Sequence, residues 1–256
     1  MDSLLVGRAG GVVTVTLNRP EKRNAVDGPM WEALAAVLAE VADREDDRVL
    51  VVTGAGGAFC SGADLASPGV ADLSPIERMR RIGAVALALH RLPKPTIAKV
   101  GGVAAGAGCN LALGCDLIVA SDQARFSEIF SRRGLSLDFG GSWLLPRLVG
   151  LHRAKELAFL AEVVDAAEAE RMGLINRVVP AGELDAVVDD WAGRLAAGPP
   201  LALARTKSLL AGAFDCGFEE ALEAENQAQI ANFATADFAE AMLAFVERRD
   251  PRFRGR

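Results

Sequence analysis

Residues that commonly move protons at neutral pH are scarce in this chain. It has no tyrosine and 2 histidines, which leaves acid–base work to carboxylates. His90 closes an apolar helical run ("AVALALHRLPKP"), where a helix C-terminus favours a cation, and His152 opens a surface helix ("LHRAKEL"). Both read as structural, so a Ser-His-Asp arrangement is not expected. The four cysteines (Cys60, Cys109, Cys115, Cys216) form no CxxC pair and have no histidine at metal spacing. That pattern fits a reduced cytoplasmic chain with no metal site, with Cys60 and Cys109 as small buried residues rather than nucleophiles. One carboxylate stands out. Asp138 lies between Leu137 and Phe139 in "GLSLDFGGSW", just before a Gly-Gly pair. A carboxylate among apolar residues costs desolvation energy unless something pairs with it. It is either a turn residue facing water or an acid–base group held over a substrate, and the residues alone leave both open.

Two glycine-rich loops each follow a strand pattern: "TGAGGAFCSGADL" (53–65) and "GGVAAGAGCN" (101–110). Neither fits a nucleotide loop, because Phe59 stands where a third glycine is needed and no GK[ST] follows. Phe59 also removes a GxSxG elbow around Ser61. Glycine and alanine do let a backbone approach a ligand closely. The N–H groups around Gly106 and Gly108 would open a helix, where they favour an anion. Two such loops can converge on one developing oxyanion, or they are ordinary tight turns.

Alternating strands and helices must hold these groups. "GVVTVTLNRP" (11–20), "RVLVVTGAGG" (48–57), "PTIAKV" (95–100) and "LIVAS" (117–121) read as strands. Leu34, Val37, Leu38 and Val41 recur at helical spacing after Pro29. Ser74, Pro75 and Glu77 start a second helix with a capping box. Asp165 and Glu168 start a later one that Gly173 stops, and "INRVVP" is a short strand. Amphipathic runs then cover 184–195, 201–210 and 218–233. The pattern predicts an α/β fold with a helical C-terminal part, divided as 1–195 and 196–256 without a linker. Half the residues are apolar (51%), enough for a large core. A net charge of −6 argues against nucleic-acid binding. No apolar run approaches the ~18 residues of a membrane span, and no secretory signal opens the sequence. The basic tail, 248–256, reads as solvated, with phosphate contact as the other possibility.

Six stretches together resemble one family. "LNRPEKRNAV", "GAFCSGADL", "LPKPTIAKVGGVAAGAGCNLALGCDLIVAS", "ARFSEIFSRRGLSLDFGGSWLLPRLVG", "AAEAERMGLINRVV" and "FVERRDPRFRGR" are similar, in order, to landmarks of the enoyl-CoA hydratase/isomerase (crotonase) superfamily. The resemblance implies a ββα spiral core and a helical C-terminal region that builds homotrimers or dimers of trimers. It also implies an acyl-CoA thioester as substrate, whose coenzyme A is the only cofactor-like group. By motif position, the N–H groups of Ala63 and Ala107 would bind the thioester oxygen, with Ala107 replacing the usual glycine. Asp64 would brace its loop. Lys22, Arg23, Ala25, Ala63, Asp64, Leu65 and Ala66 would line the coenzyme A site, and Trp143 would edge the acyl pocket or fill core.

The departures from the family pattern carry as much information. A hydratase of this family uses two glutamates around a water molecule. Asn110 stands at the first position, and counting from Phe126 puts Phe130 at the second, with Glu128 two residues early. Asp138 stands where isomerase-type members carry an aspartate, and "GGSWLLPRLVG" is nearest to the ring-opening epoxyphenylacetyl-CoA isomerases. A single carboxylate that removes a proton and returns it to another carbon suffices for a 1,3-shift. The expected activity is therefore double-bond migration in an enoyl-CoA with Asp138 as base. Enoyl-CoA hydration through Asp138 and Glu128, and acyl-CoA binding without catalysis, are the alternatives.

Overall fold

The computed structural model describes residues 2–66 and 74–256. Strand β1 (Leu4–Ala9) turns back into β2 (Val12–Leu17), and the two pair antiparallel from Leu4 opposite Leu17 to Ala9 opposite Val12. Beyond Leu4 every β1 residue is exposed. An exposed edge strand shows no buried alternation, which is why the sequence reading began the sheet only at β2. A 3₁₀ turn (Pro20–Lys22) leads to helix α1 (Gly28–Asp43), whose Met30 N–H donates to Asp27 Oδ1 at 3.0 Å. Then follow β3 (Val49–Gly54), α2 (Pro75–His90), β4 (Thr96–Val100), β5 (Val103–Ala105), α3 (Ala107–Leu113), β6 (Leu117–Ser121) and β7 (Arg125–Ser127). The expected Ser74–Glu77 capping box closes α2 at both bonds, 3.3 and 3.0 Å. After a 3₁₀ turn (Ile129–Arg133) come α4 (Gly141–Val149), α5 (Leu151–Leu160), β8 (Val164–Asp165), α6 (Ala166–Arg171) and β9 (Arg177–Val179). The chain ends in α7 (Leu184–Ala197), α8 (Pro200–Gly212), α9 (Phe218–Phe233) and α10 (Ala236–Glu247).

The main sheet has the order β1-β2-β3-β4-β6-β9 and is parallel from β2 onward. A small second sheet, β5-β7-β8, stands beside it. On one face Leu50, Val52, Ala98 and Val100 pack with Leu34, Leu38, Val85 and Leu89 of α1 and α2. On the other, Val49, Val51, Ile97 and Val119 meet Leu184, Val188 and Ala192 of α7. Covered on both sides, β3 is a continuous apolar run rather than an alternating one. The boundary expected after residue 195 falls within α7.

The arginines of the tail are exposed, as the solvated reading expects, but its backbone is anchored. Asp237 is buried, and its carboxylate accepts from the N–H groups of Arg254 (2.6 Å) and Gly255 (2.8 Å), while Arg256 O accepts from Ala236 N–H (2.7 Å). The free N–H groups at the start of α10 need acceptors, and Arg256 O returns to supply one. No helix among the described residues is long and apolar enough to cross a membrane.

Candidate active site

Three loops gather at the C-terminal ends of the parallel strands, the usual place for ligands in such sheets. The loop after β2 is fastened by Asn24, which is fully buried. Its Oδ1 accepts from Arg19 N–H at 2.9 Å, and its Nδ2 donates to Ala55 O and Ala58 O, each at 2.8 Å. That side chain clamps the first loop to the glycine loop after β3. Val26 then bridges to Ala63. Asp64 pairs with Arg19 at 2.9 Å, and its Oδ1 accepts from Ala66 N–H at 3.2 Å. Burial alone would raise the Asp64 pKa, but Arg19, the Ala66 N–H and the charge of Lys22 together outweigh it and hold the carboxyl below its ordinary value. Lys22, Arg23, Leu65 and Ala66 lie exposed along this edge, with Ala25 buried beneath them.

The third loop joins β4 to α3 and is zipped to the second. Cys60 bridges Ala104, Phe59 N–H and Cys60 N–H both donate to Val103 O at 3.0 Å, and Ala105 N–H donates to Cys60 O at 2.9 Å. Two glycines make the approach possible. A Cβ on Gly108 would overlap the backbone and side chain of Cys60, and one on Gly62 would lie 3.0 Å from Ala105 O and 3.6 Å from Ala107 N. The N–H groups of Ala63 and Ala107 are thereby brought to neighbouring loops, and neither donates to an acceptor among the described residues. Ala107 opens α3 with a negative φ, while Gly106 before it takes φ 54°. The left-handed angle falls on Gly106, so alanine at 107 keeps its donor without strain. Phe130 is buried with its ring beside Gly106.

One turn further along α3, Asn110 faces the carboxylates. Its Nδ2 donates to the backbone O of Asp138 (3.0 Å) and to Glu128 Oε2 (3.3 Å). A Cβ on Gly141 would overlap the Asn110 amide, so glycine there lets the turn close onto α3. The strand ends at Ser127 and the chain turns at Glu128 into a 3₁₀ segment, which brings the Glu128 carboxylate to the Asn110 amide while Phe130 packs beside Gly106. Glu128 is 2% exposed. Spacing set Glu128 two residues early, and nothing in the sequence showed that its carboxylate would still reach Asn110.

Asp138 sits in a turn whose next residue, Phe139, has φ 50° and is buried with its ring 5.5 Å from Trp31. A bulky residue in the left-handed region is a strained conformation that the surrounding packing must hold. The Asp138 carboxylate has no cation partner among the described residues, and burial raises its pKa to about 6. It lies on the wall of a largely apolar cleft of about 830 Å³ formed with α2, α8 and Trp143. Trp143 is packed on the edge of His90 (5.2 Å) and under the Arg147 guanidinium (3.8 Å). The thiols are unsuited to nucleophilic work. Burial pushes Cys60 up to about 12 and Cys109 well above its ordinary value.

The family model described as enoyl-CoA hydratase/isomerase matches residues 7–256. The chain belongs to the enoyl-CoA hydratase/isomerase family. It is 41% identical over 96% of its length to a Rhodobacter capsulatus protein described as a probable enoyl-CoA hydratase, 95% of which is covered. It is 37% identical to the 1,2-epoxyphenylacetyl-CoA isomerase of Escherichia coli, each covered completely. A crystal structure of enoyl-CoA hydratase from Bacillus anthracis superposes with a TM-score of 0.94 at 30% identity, covering 100% of both chains. Proteins described as hydratases and as an isomerase are thus relatives of this chain, and the solved hydratase shares its crotonase fold, an α/β core with C-terminal helices.

Proposed function

We propose that this protein moves a carbon–carbon double bond within an enoyl-CoA, with Asp138 as the base that shuttles the proton. The observation that carries this reading is the Asp138 carboxylate: without a cation partner among the described residues, desolvated to about pKa 6, and set on an apolar cleft, with its backbone O held by Asn110 of α3. Substrate binds with its thioester oxygen accepting from the N–H groups of Ala63 and Ala107. Asp138 takes a proton from the carbon next to the thioester, and the C–H electron pair moves into a dienolate whose charge those donors stabilise. Asp138 then returns the proton two carbons further along, and the double bond ends in conjugation with the carbonyl. No second acid is needed, and the apolar cleft keeps water from adding.

Lys22, Arg23, Ala25, Asp64, Leu65 and Ala66 form the edge along which coenzyme A would lie, with Phe130 and Trp143 toward the acyl part. The coenzyme is part of the substrate, and the chemistry requires no further cofactor. Four free cysteines, three of them buried, suit a reducing cytoplasm. Exposed apolar residues on α9 and α10, among them Ile230, Phe233, Phe245 and Val246, suit assembly as a homotrimer or dimer of trimers. Hydration is the second reading, and the buried Glu128 favours it by supplying another carboxylate beside Asn110. Assays of 3-enoyl-CoA migration and 2-enoyl-CoA hydration with wild type and Asp138→Asn decide between them. Migration lost in the variant supports the first reading; equal migration by both proteins overturns it.

A further inference from the structure

Buried polar atoms normally find partners, and one unpaired at the cost of desolvation calls for an explanation. Among the described residues, three unpaired buried oxygens belong to Asn110 (Oδ1), Glu128 (Oε1) and Asp138 (Oδ1). They occur together. A single Asn110 amide nitrogen reaches both Glu128 Oε2 (3.3 Å) and the Asp138 backbone O (3.0 Å). All three unpaired atoms are acceptors, so no two of them can satisfy each other. A proton on Glu128 changes that arithmetic by turning its Oε1 into a donor.

We propose that Glu128 is a positioning residue of this site: a neutral carboxylic acid whose Oε1–H donates to the Asp138 carboxylate and fixes it for proton transfer. This inference rests on Asp138 being the base, as argued above. Glu128 does not touch substrate, and its proton stays with it through the reaction. Which carboxyl holds a proton follows from their surroundings. Burial raises Glu128 to about 7, helped by the negative charge of Asp138 and opposed by its bonds with Cys109 and Asn110. Asp138 reaches only about 6. Between those values Glu128 is the acid and Asp138 the anion. The titratable groups that act on Glu128 are Cys109 from α3 and Asp138 from the turn before α4; the elements packed against its segment carry Asp165 (β8), Glu168, Glu170 and Arg171 (α6), and His152, Arg153, Lys155 and Glu156 (α5), and none of these shifts it. Cys109 stays a neutral thiol because burial raises it well above its ordinary value. Gly141 holds the arrangement together, since any side chain there would displace the Asn110 amide.

Loss of the Glu128 proton would set two anions side by side and release Asp138 from its donor. Migration should therefore rise with pH through about 6, as Asp138 ionises, and fall above about 7, as Glu128 ionises. Glu128→Gln keeps a donor that cannot ionise, so it should lose the alkaline fall while retaining the acidic rise. Glu128→Ala should lower kcat about tenfold with little change in KM, because orientation rather than binding is lost. Infrared difference spectra supply a readout independent of turnover. Titrated from about pH 5 to 8, the wild type should show a buried carboxylic-acid carbonyl stretch that disappears near pH 7, and Glu128→Gln should lack that component while keeping the one that disappears near pH 6 with Asp138. An alkaline limb that persists in Glu128→Gln, or an acid stretch titrating near pH 7 that survives the substitution, overturns the proposal. If the wild type moves no double bond, the reading of Asp138 fails, and the infrared comparison still decides the state of Glu128.

Discussion

Asp64 and Asp138 are the same residue type in similar small-residue surroundings, yet they end in opposite states. Burial raises both; Arg19, with the Ala66 N–H and the charge of Lys22, reverses the effect at Asp64, and no cation among the described residues does so at Asp138. The difference of roles follows from those partners. Replacing Asp138 by Asn should lower kcat for migration by about 10³-fold, within the usual worth of a positioned base, while the Kd for acyl-CoA stays near the wild-type value. Equilibrium dialysis alongside turnover checks both halves. Glu128 also links pH to stability. Its folded pKa is raised from 4.5 to about 7, so the native state binds more protons than the unfolded chain between those values. The stability it contributes is full below its unfolded pKa and is lost as pH rises through about 7. On that shift, Glu128→Gln should gain up to about 3 kcal/mol over wild type at pH 8 relative to their difference at pH 4. Urea melts at the two pH values measure it.

At the scale of elements, the site depends on how closely the loops after β3 and β4 approach. Gly108 sets that distance, because its hydrogen stands where a methyl would overlap Cys60. Gly108→Ala should push α3 away from the Cys60 loop, costing about 1–3 kcal/mol of stability as an overpacked contact. It should also lower kcat more than it raises KM, since the Ala63 and Ala107 donors would no longer meet one oxygen. A stability loss with unaltered kcat would show that the two donors do not act together. Much of this framework was legible beforehand. Pro29, the Ser74–Glu77 box and the β-branched runs of β2, β3, β4 and β6 report locally on the elements they build. The small sheet was less legible, since three-residue strands such as β5 and β7 are too short to show a period.

For the whole molecule, the C-terminal helices leave a surface that a lone chain does not cover. Neither α8 nor α9 has a fully buried residue, and Phe218, Phe245 and Val246 are each more than three-quarters exposed. Large exposed apolar patches mark association surfaces. Light scattering should give a mass of three or six chains, and Phe233→Asp with Phe245→Asp should shift it toward one. An unchanged mass in that double variant would place the interface elsewhere. If the assembly also completes the cleft beside α8, the dissociated variant should lose affinity for acyl-CoA while Asp138 keeps its pKa.

The sequence by itself determined the α/β framework, the two glycine-rich loops and Asp138 as the carboxylate to watch, because each rests on local pattern or on residue type at a fixed motif position. The tertiary structure decided what surrounds that carboxylate. Glu128 and Asn110 are 18 residues apart, and Asn110 and Asp138 are 28 apart, yet one amide joins all three. Counting by motif register gave Phe130 and set Glu128 two residues early; that the Glu128 carboxylate nonetheless reaches Asn110 follows from the bend at Glu128, which no spacing encodes. Burial and the absence of a cation among the described residues are likewise properties of the folded surroundings, and it is the missing partner that separates Asp138 from the braced Asp64. A charge's environment is assembled from distant segments, and no spacing within one segment encodes it.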